Sequence, residues 1–318
     1  MQPAHGWSIL LALLLLGGRG GTAVPAPVAG QAVPVRQGLV SLEGARIFYE
    51  VVGTGDPVLV VHGGPGLDHN YLRPGLDALA GVAQLIYYDQ RGTGRSTGVL
   101  DSAHINLDRF VEDMDALREV LGHDRIAVLG HSFGGLLALA YAARFPERTR
   151  ALVLVAPAEP GRRWRTAAAA RLADARSPAD SAALAELAAS EALAAGDPAT
   201  VSRYYRLVFR ATVRDPAVVD RLNLDLMGTT ARNGREVARL LGASVSGVNW
   251  DEVLARIQAP TLIVHGRFDP TPTAMARELA DRIPEARLVV LETGHFPFVE
   301  DPAALVSAVT TFLAESQR

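Results

Sequence analysis

The chain has 318 residues, 49% of them hydrophobic, a formal net charge of −3 and no cysteine, an ordinary globular composition that excludes a collagen-like, disordered or disulfide-stapled protein. Every cationic residue other than histidine is arginine, so thiol catalysis, zinc–cysteine sites and the lysine chemistry of Schiff bases and Walker loops are all excluded. Its 31 basic and 34 acidic residues create no global field for nucleic acid or an anionic membrane, and the expected partner is a small molecule held in a pocket.

At the N-terminus, Ile9 to Leu16 is an eight-residue apolar run followed by a stretch rich in Ala, Pro, Val and Gly. A bilayer span needs roughly 20 apolar residues, so stable membrane insertion is not expected. The run reads instead as a signal peptide over 1–23, with small residues at Gly21 and Ala23 suiting cleavage near Ala23, and a flexible leader over 24–37. A secreted or periplasmic location is the expectation.

From Gly38 onward short β-branched runs alternate with helical periodicity, the pattern of βαβ units and a mainly parallel sheet. Gly38–Leu42 and Ala45–Val52 suggest an antiparallel pair around a Glu43-Gly44 turn. Continuous apolar runs at Val58–Val61, Leu85–Tyr88, Arg125–Leu129, Leu152–Val155, Leu262–Val264 and Leu288–Leu291 suit strands covered on both faces. Leu107, Phe110, Val111, Met114, Leu117 and Leu121 recur at three- and four-residue spacing, predicting an amphipathic helix capped by Asn106. Strand signals vanish between about Ala158 and Val248. Ala-rich helical stretches are expected there over Ala167–Ala175, Ala182–Ala195 and Val218–Met227, as an insertion into one core. Arg162, Arg163 and Arg165 around Trp164 read as a solvated helix face.

Gly130-His131-Ser132-Phe133-Gly134 falls between a predicted strand and the apolar helix from Phe133 to Phe145, where a nucleophile elbow must lie. A serine on so sharp a turn needs neighbours without bulk two residues before and after it, and the helix start behind it leaves N–H groups free for negative charge. A serine hydroxyl also needs a base and an orienting acid, which in this arrangement follow later strands in the order Ser, Asp, His. Asp269 and His295 occupy those positions; His265, the rival base, exits the same strand as Asp269 and is poorly placed to bridge acid and nucleophile. His62-Gly63-Gly64-Pro65-Gly66 follows an earlier strand, and the backbone N–H groups of Gly64 and Phe133 are the candidate oxyanion donors. Ser132 excludes the epoxide and haloalkane hydrolase chemistry that would need aspartate at the elbow. A non-catalytic small-ligand sensor on the same fold is a remote alternative.

These motifs, with Asp89-Gln90-Arg91-Gly92-Thr93-Gly94-Arg95-Ser96, resemble the α/β-hydrolase superfamily and, within it, the proline iminopeptidase group. The resemblance covers about Val40 to Leu313. It implies an eight-stranded, mostly parallel sheet with a helical cap after strand 6. The core would then be 38–157 and 249–318 and the cap 158–248. It further implies hydrolysis of a short peptide through an acyl-enzyme, with no metal or organic cofactor. The elbow departs from the group's frequent Gly-Gly-Ser-Trp-Gly towards a form common among esterases, which keeps a carboxylesterase or lactonase open. In that group cap glutamates hold the substrate's amine; here Glu159, Glu186, Glu191 and Glu236 are weak candidates. The segment Asp89 to Ser96 is expected to shape the pocket floor, with Asp89 and Arg91 structural.

Overall fold

The computed structural model describes residues 35–316; the signal peptide and nearly all of the leader expected at the N-terminus lie outside them. Eight strands form one open sheet in the order β1-β2-β4-β3-β5-β6-β7-β8. β1 (Val35–Leu42) and β2 (Ala45–Val52) form the expected hairpin, Leu42 facing Ala45 across the turn, and β2 also pairs antiparallel with β4 (Gln84–Tyr88). β3 (Pro57–Val61), β4, β5 (Ile126–His131), β6 (Thr149–Val155), β7 (Thr261–Gly266) and β8 (Ala286–Leu291) pair in parallel.

Side chains alternate across the central strands because the strand period is two. Leu59, Val61, Val128, Leu152, Leu154 and Ile263 enter one apolar layer with the helices Leu107–Val120 and Phe133–Arg144. Val58, Val60, Leu129, Val153, Val155 and Leu262 enter the other, against Leu72, Leu76, Phe298, Leu305 and Phe312. Asn106 caps the first of these helices, its side chain accepting from the Arg109 N–H at 3.0 Å. β8 departs from the expectation of a strand covered on both faces: among the described residues it pairs only with β7, and it remains half-exposed along its length.

The helices between β6 and β7 differ from those expected. Arg165–Ala175 is one helix, but the stretch Ala182–Ala195 breaks into Pro178–Ala188 and Glu191–Ala195, because Ser190 turns its side chain onto the Leu193 N–H and starts a new helix. Val218–Met227 is not an α-helix. Pro216–Arg221 is a 3₁₀ turn capped by Asp215. After it Leu222, Leu224 and Leu226 are buried while Asn223 and Asp225 are exposed, an extended period of two that composition alone disguises. Two further helices, Pro198–Arg210 and Gly228–Val245, are amphipathic and bury Val201, Leu207, Val237 and Leu241. No helix among the described residues is long and apolar enough to cross a membrane.

Leu137 lies on the helix behind the elbow with no exposed surface. Leu137→Ala should destabilise the fold by about 2–5 kcal/mol through lost transfer energy and a cavity, read as a lower midpoint in urea with an unchanged slope.

Candidate active site

The chain runs from β3 towards β4 on one side and to β5 on the other, so the strand order reverses between β3 and β5. The carboxyl ends of strands at such a switch point form a natural crevice. The last ladder pair there is Val61 with Gly130, and the next residues on the two strands are His62-Gly63 and His131-Ser132. A Cβ placed on Gly63 would come within 2.9 Å of the Ser132 Cβ, so the glycine loop lies directly against the serine.

Ser132 has φ 54° and ψ −124°, a strained conformation for a side-chain-bearing residue. It is held by its own N–H donating to Val155 (3.1 Å) and by its carbonyl accepting from Gly135 and Ala158 (2.9 Å each). Glycine is required on both sides by close approach: a Cβ on Gly130 would meet the Gly134 carbonyl oxygen at 2.5 Å, and one on Gly134 would meet that of Val61 at 2.3 Å. Phe133 opens the following helix, where the first N–H groups have no partner within the helix.

Asp269 lies three residues beyond β7 and His295 four beyond β8. His295 Nε2 stands 3.0 Å from Ser132 Oγ, and Nδ1 stands 2.6 Å from Asp269 Oδ2. Asp269 Oδ1 accepts from the Thr271 N–H at 2.7 Å. Burial alone would depress the His295 pKa, but the Asp269 carboxylate outweighs it and raises it. Burial likewise opposes ionisation of Asp269, and the facing imidazole pulls its pKa below the ordinary value. His265 turns away, its Nε2 donating to the Thr271 carbonyl at 2.9 Å.

The loop bearing His295 is secured by a residue that no motif marks. The Glu300 carboxylate accepts from the backbone N–H groups of Gly294, Phe296 and Arg214 at 2.8, 3.1 and 3.0 Å, and the His295 N–H donates to Thr212 of the insertion at 2.8 Å. No periodicity or spacing could reveal Glu300, because its partners are backbone groups brought together only by folding.

The segment Asp89 to Ser96 braces the glycine loop. The Gln90 side chain donates to the His62 carbonyl at 2.8 Å and its N–H to His62 Nε2 at 3.1 Å; burial lowers His62 to a pKa of about 4, keeping it neutral. Arg91 makes a buried two-pronged pair with Asp113, at 2.7 and 2.5 Å. His69 lies between Asp89 Oδ1 (2.6 Å) and Glu50 Oε1 (3.1 Å). Burial opposes its charge, yet the two carboxylates lift its pKa to about 9. Glu50 falls to about 2 against its own burial because His69 and Arg73 face it. The insertion is fastened to this region by Thr230, which donates to Asp68 at 2.7 Å and accepts from the Gly94 N–H at 2.8 Å.

A cavity of about 720 Å³ is lined by Pro65 and Phe133, the chain neighbours of Gly64 and Ser132, and by Leu136, Glu159, Arg162, Arg165 and Trp250 among others. Of the four candidate glutamates only Glu159 borders it. One of its oxygens accepts from the Trp164 N–H at 2.8 Å. Glu236 pairs with Arg239, and Glu186 and Glu191 are exposed. Arg162, Arg163 and Arg165 are all exposed, as a solvated face requires; Arg163 pairs with Glu278, and Arg162 and Arg165 also border the cavity. Among the described residues no group of three or more potential ligands could hold a metal ion.

A family model described as the alpha/beta hydrolase fold matches residues 56–302. The chain belongs to the α/β-hydrolase family. This α/β-hydrolase is 28% identical over 293 residues to a proline iminopeptidase of Heyndrickxia coagulans, spanning 87% of this chain and 98% of that protein. The solved structure of the proline iminopeptidase of Mycobacterium smegmatis superposes with a TM-score of 0.68 at 25% identity, over 88% of this chain and 98% of that one. A thermophilic esterase of Thermogutta terrifontis shares the fold, with a TM-score of 0.67 at 22% identity over 89% and 100%.

The charge on His69 has a measurable signature. Its pKa is higher folded, about 9, than the 6.5 it starts from, so its stabilisation is complete below pH 6.5 and is lost as pH rises through about 9. The melting temperature should fall across that window, by an amount equivalent to about 3 kcal/mol if the shift is fully expressed. In calorimetry of His69→Gln the slope over the same window should flatten.

Proposed function

We propose that the protein is a serine hydrolase that works through an acyl-enzyme, with Ser132 as nucleophile, His295 as base and Asp269 as the orienting acid. The observation that carries this is the unbroken line from Asp269 through His295 to Ser132 at 2.6 and 3.0 Å. Ser132 Oγ attacks the substrate carbonyl carbon while its proton passes to His295 Nε2, and Asp269 stabilises the imidazolium that forms. The carbonyl oxygen becomes an oxyanion that accepts hydrogen bonds from the N–H groups of Gly64 and Phe133, each worth about 3 kcal/mol of barrier. Collapse of the intermediate expels the leaving group, protonated by His295, and water then repeats the cycle to release the acid. These steps call on no metal or organic cofactor.

The substrates we infer are short peptides with a free N-terminal residue. The relatives named as proline iminopeptidases, aligned over most of the chain, support this, as does Glu159 at the cavity beside Phe133, where its second oxygen is available to an ammonium group. Carboxylesterase or lactonase activity is the second reading. It is favoured by Arg162 and Arg165, which line the same cavity and would oppose an ammonium while accepting a neutral or anionic acyl group. A signal peptide over 1–23 would place either activity outside the cytoplasm.

Proline and alanine arylamides offered beside short-chain nitrophenyl esters separate the two. Arylamide cleavage abolished by Ser132→Ala supports the peptidase, ester cleavage alone the esterase, and full activity in Ser132→Ala overturns the site. In the peptidase, Glu159→Gln should raise KM more for a prolyl arylamide than for a neutral ester. Because His295 must be neutral to act as base and its pKa is raised, kcat/KM should fall on the acid side with a midpoint above the ordinary histidine value of about 6.5. Asp269→Asn should move that midpoint down and reduce kcat by about 10⁴-fold, as measured by rate profiles between pH 5 and 9.

A further inference from the structure

His131 and Tyr71 take no part in the acyl-transfer steps, yet each is only 1% exposed and together they join the three segments of the site. Tyr71 Oη is 2.7 Å from the Gly63 nitrogen and 2.8 Å from His131 Nδ1, and His131 Nε2 is 2.9 Å from the His295 carbonyl oxygen. The ends of this line determine every proton within it. The Gly63 N–H can only donate, so the tyrosine oxygen accepts from it. The His295 carbonyl can only accept, so His131 Nε2 carries the hydrogen. Burial depresses His131 to a pKa of about 3, so the ring is neutral with a bare Nδ1, to which Tyr71 donates. All three links are satisfied by a single arrangement, and hydrogen bonds aligned in series polarise one another. The His131 ring is further confined by His295, Phe296 and Phe298, at centroid distances of 5.0, 5.3 and 5.1 Å.

We propose that Tyr71 and His131 are positioning residues for acyl transfer. Their directed chain of hydrogen bonds sets the backbone of His295 on one side of Ser132 and the Gly63-Gly64 donor loop on the other. The glycine loop, the elbow and the base come from β3, β5 and β8, which have no covalent reason to hold a common spacing, and this relay spans all three. The proposal rests on the serine hydrolase function above and is indifferent to whether the substrate is a peptide or an ester.

The test compares full-length wild type with Tyr71→Phe, His131→Gln, His131→Phe and the double variant Tyr71→Phe/His131→Phe. The readouts are nitrophenyl ester turnover, the rate of serine labelling by a fluorophosphonate, and thermal melting. Tyr71→Phe and His131→Phe should lose about ten- to a hundredfold in kcat and in labelling rate with KM changed by less than about twofold, as a displaced catalytic geometry requires. His131→Gln, which keeps a donor for the His295 carbonyl, should recover part of the loss and keeps the proposal testable where His131→Phe fails to fold. The double variant should be no slower than the worse single variant, since breaking either link breaks the relay. Cooperatively melting Tyr71→Phe or His131→Gln with kcat and labelling within about twofold of wild type would overturn the proposal, as would losses that multiply in the double variant. Labelling that persists in Ser132→Ala would instead overturn the hydrolase function itself.

Discussion

Backbone contact at the β3–β5 switch point is the constraint on which the site depends. Ser132 adopts a strained left-handed turn, and it can do so only because Gly130 and Gly134 let the elbow strand, the following helix and the end of β3 approach to distances that any side chain would forbid. The same approach brings Gly63 onto the Ser132 Cβ and leaves the first N–H of a helix beside the hydroxyl. Ser132, a helix start and a glycine loop thus arrive at one point through excluded volume before any electrostatic interaction is considered.

Electrostatics then operate at two depths. At the crevice, Asp269 raises the pKa of His295 against the effect of burial, and its hydrogen bond to Nδ1 leaves Nε2 facing Ser132. Beneath the glycine loop, His69 is held as an imidazolium between Asp89 and Glu50. Ionic groups this deeply buried are costly unless each is paired, and here the pairing ties β2, β4 and the turn after the glycine loop into one unit. His131 and Tyr71 form a third, uncharged network between these layers, in which burial keeps the histidine neutral. Three buried histidines therefore take different protonation states for one reason: carboxylates face His69, whereas none bonds to His62 or His131.

The insertion after β6 is part of the same construction. Thr212 accepts from the His295 N–H, Thr230 bridges Asp68 and Gly94, and a Cβ on Gly66 would meet the Gly234 carbonyl at 2.1 Å. The helix Gly228–Val245 therefore packs against the loop that carries Gly64, one of the two candidate oxyanion donors. It also walls the cavity shared by Glu159, Arg162 and Arg165, so one segment both borders that cavity and packs against the glycine loop.

From the sequence alone come the parallel strands, the elbow and the chain positions of Ser132, Asp269 and His295. Each is a local pattern: an apolar run, a glycine spacing, or a polar residue just past a strand end. The helices of the insertion were only partly legible, since alanine-rich composition marks helical propensity without marking which face is buried, and the alternation at Leu222, Leu224 and Leu226 was hidden within an apolar stretch. Tertiary structure alone decided that β8 is an edge strand, that Glu159 and not Glu236 borders the cavity, and that Glu300, Tyr71 and His131 brace the site. Those outcomes depend on hydrogen bonds and contacts between residues distant in the chain, such as the 164 positions separating His131 from His295. Local sequence patterns carry no record of such distances, because folding alone brings these groups within reach.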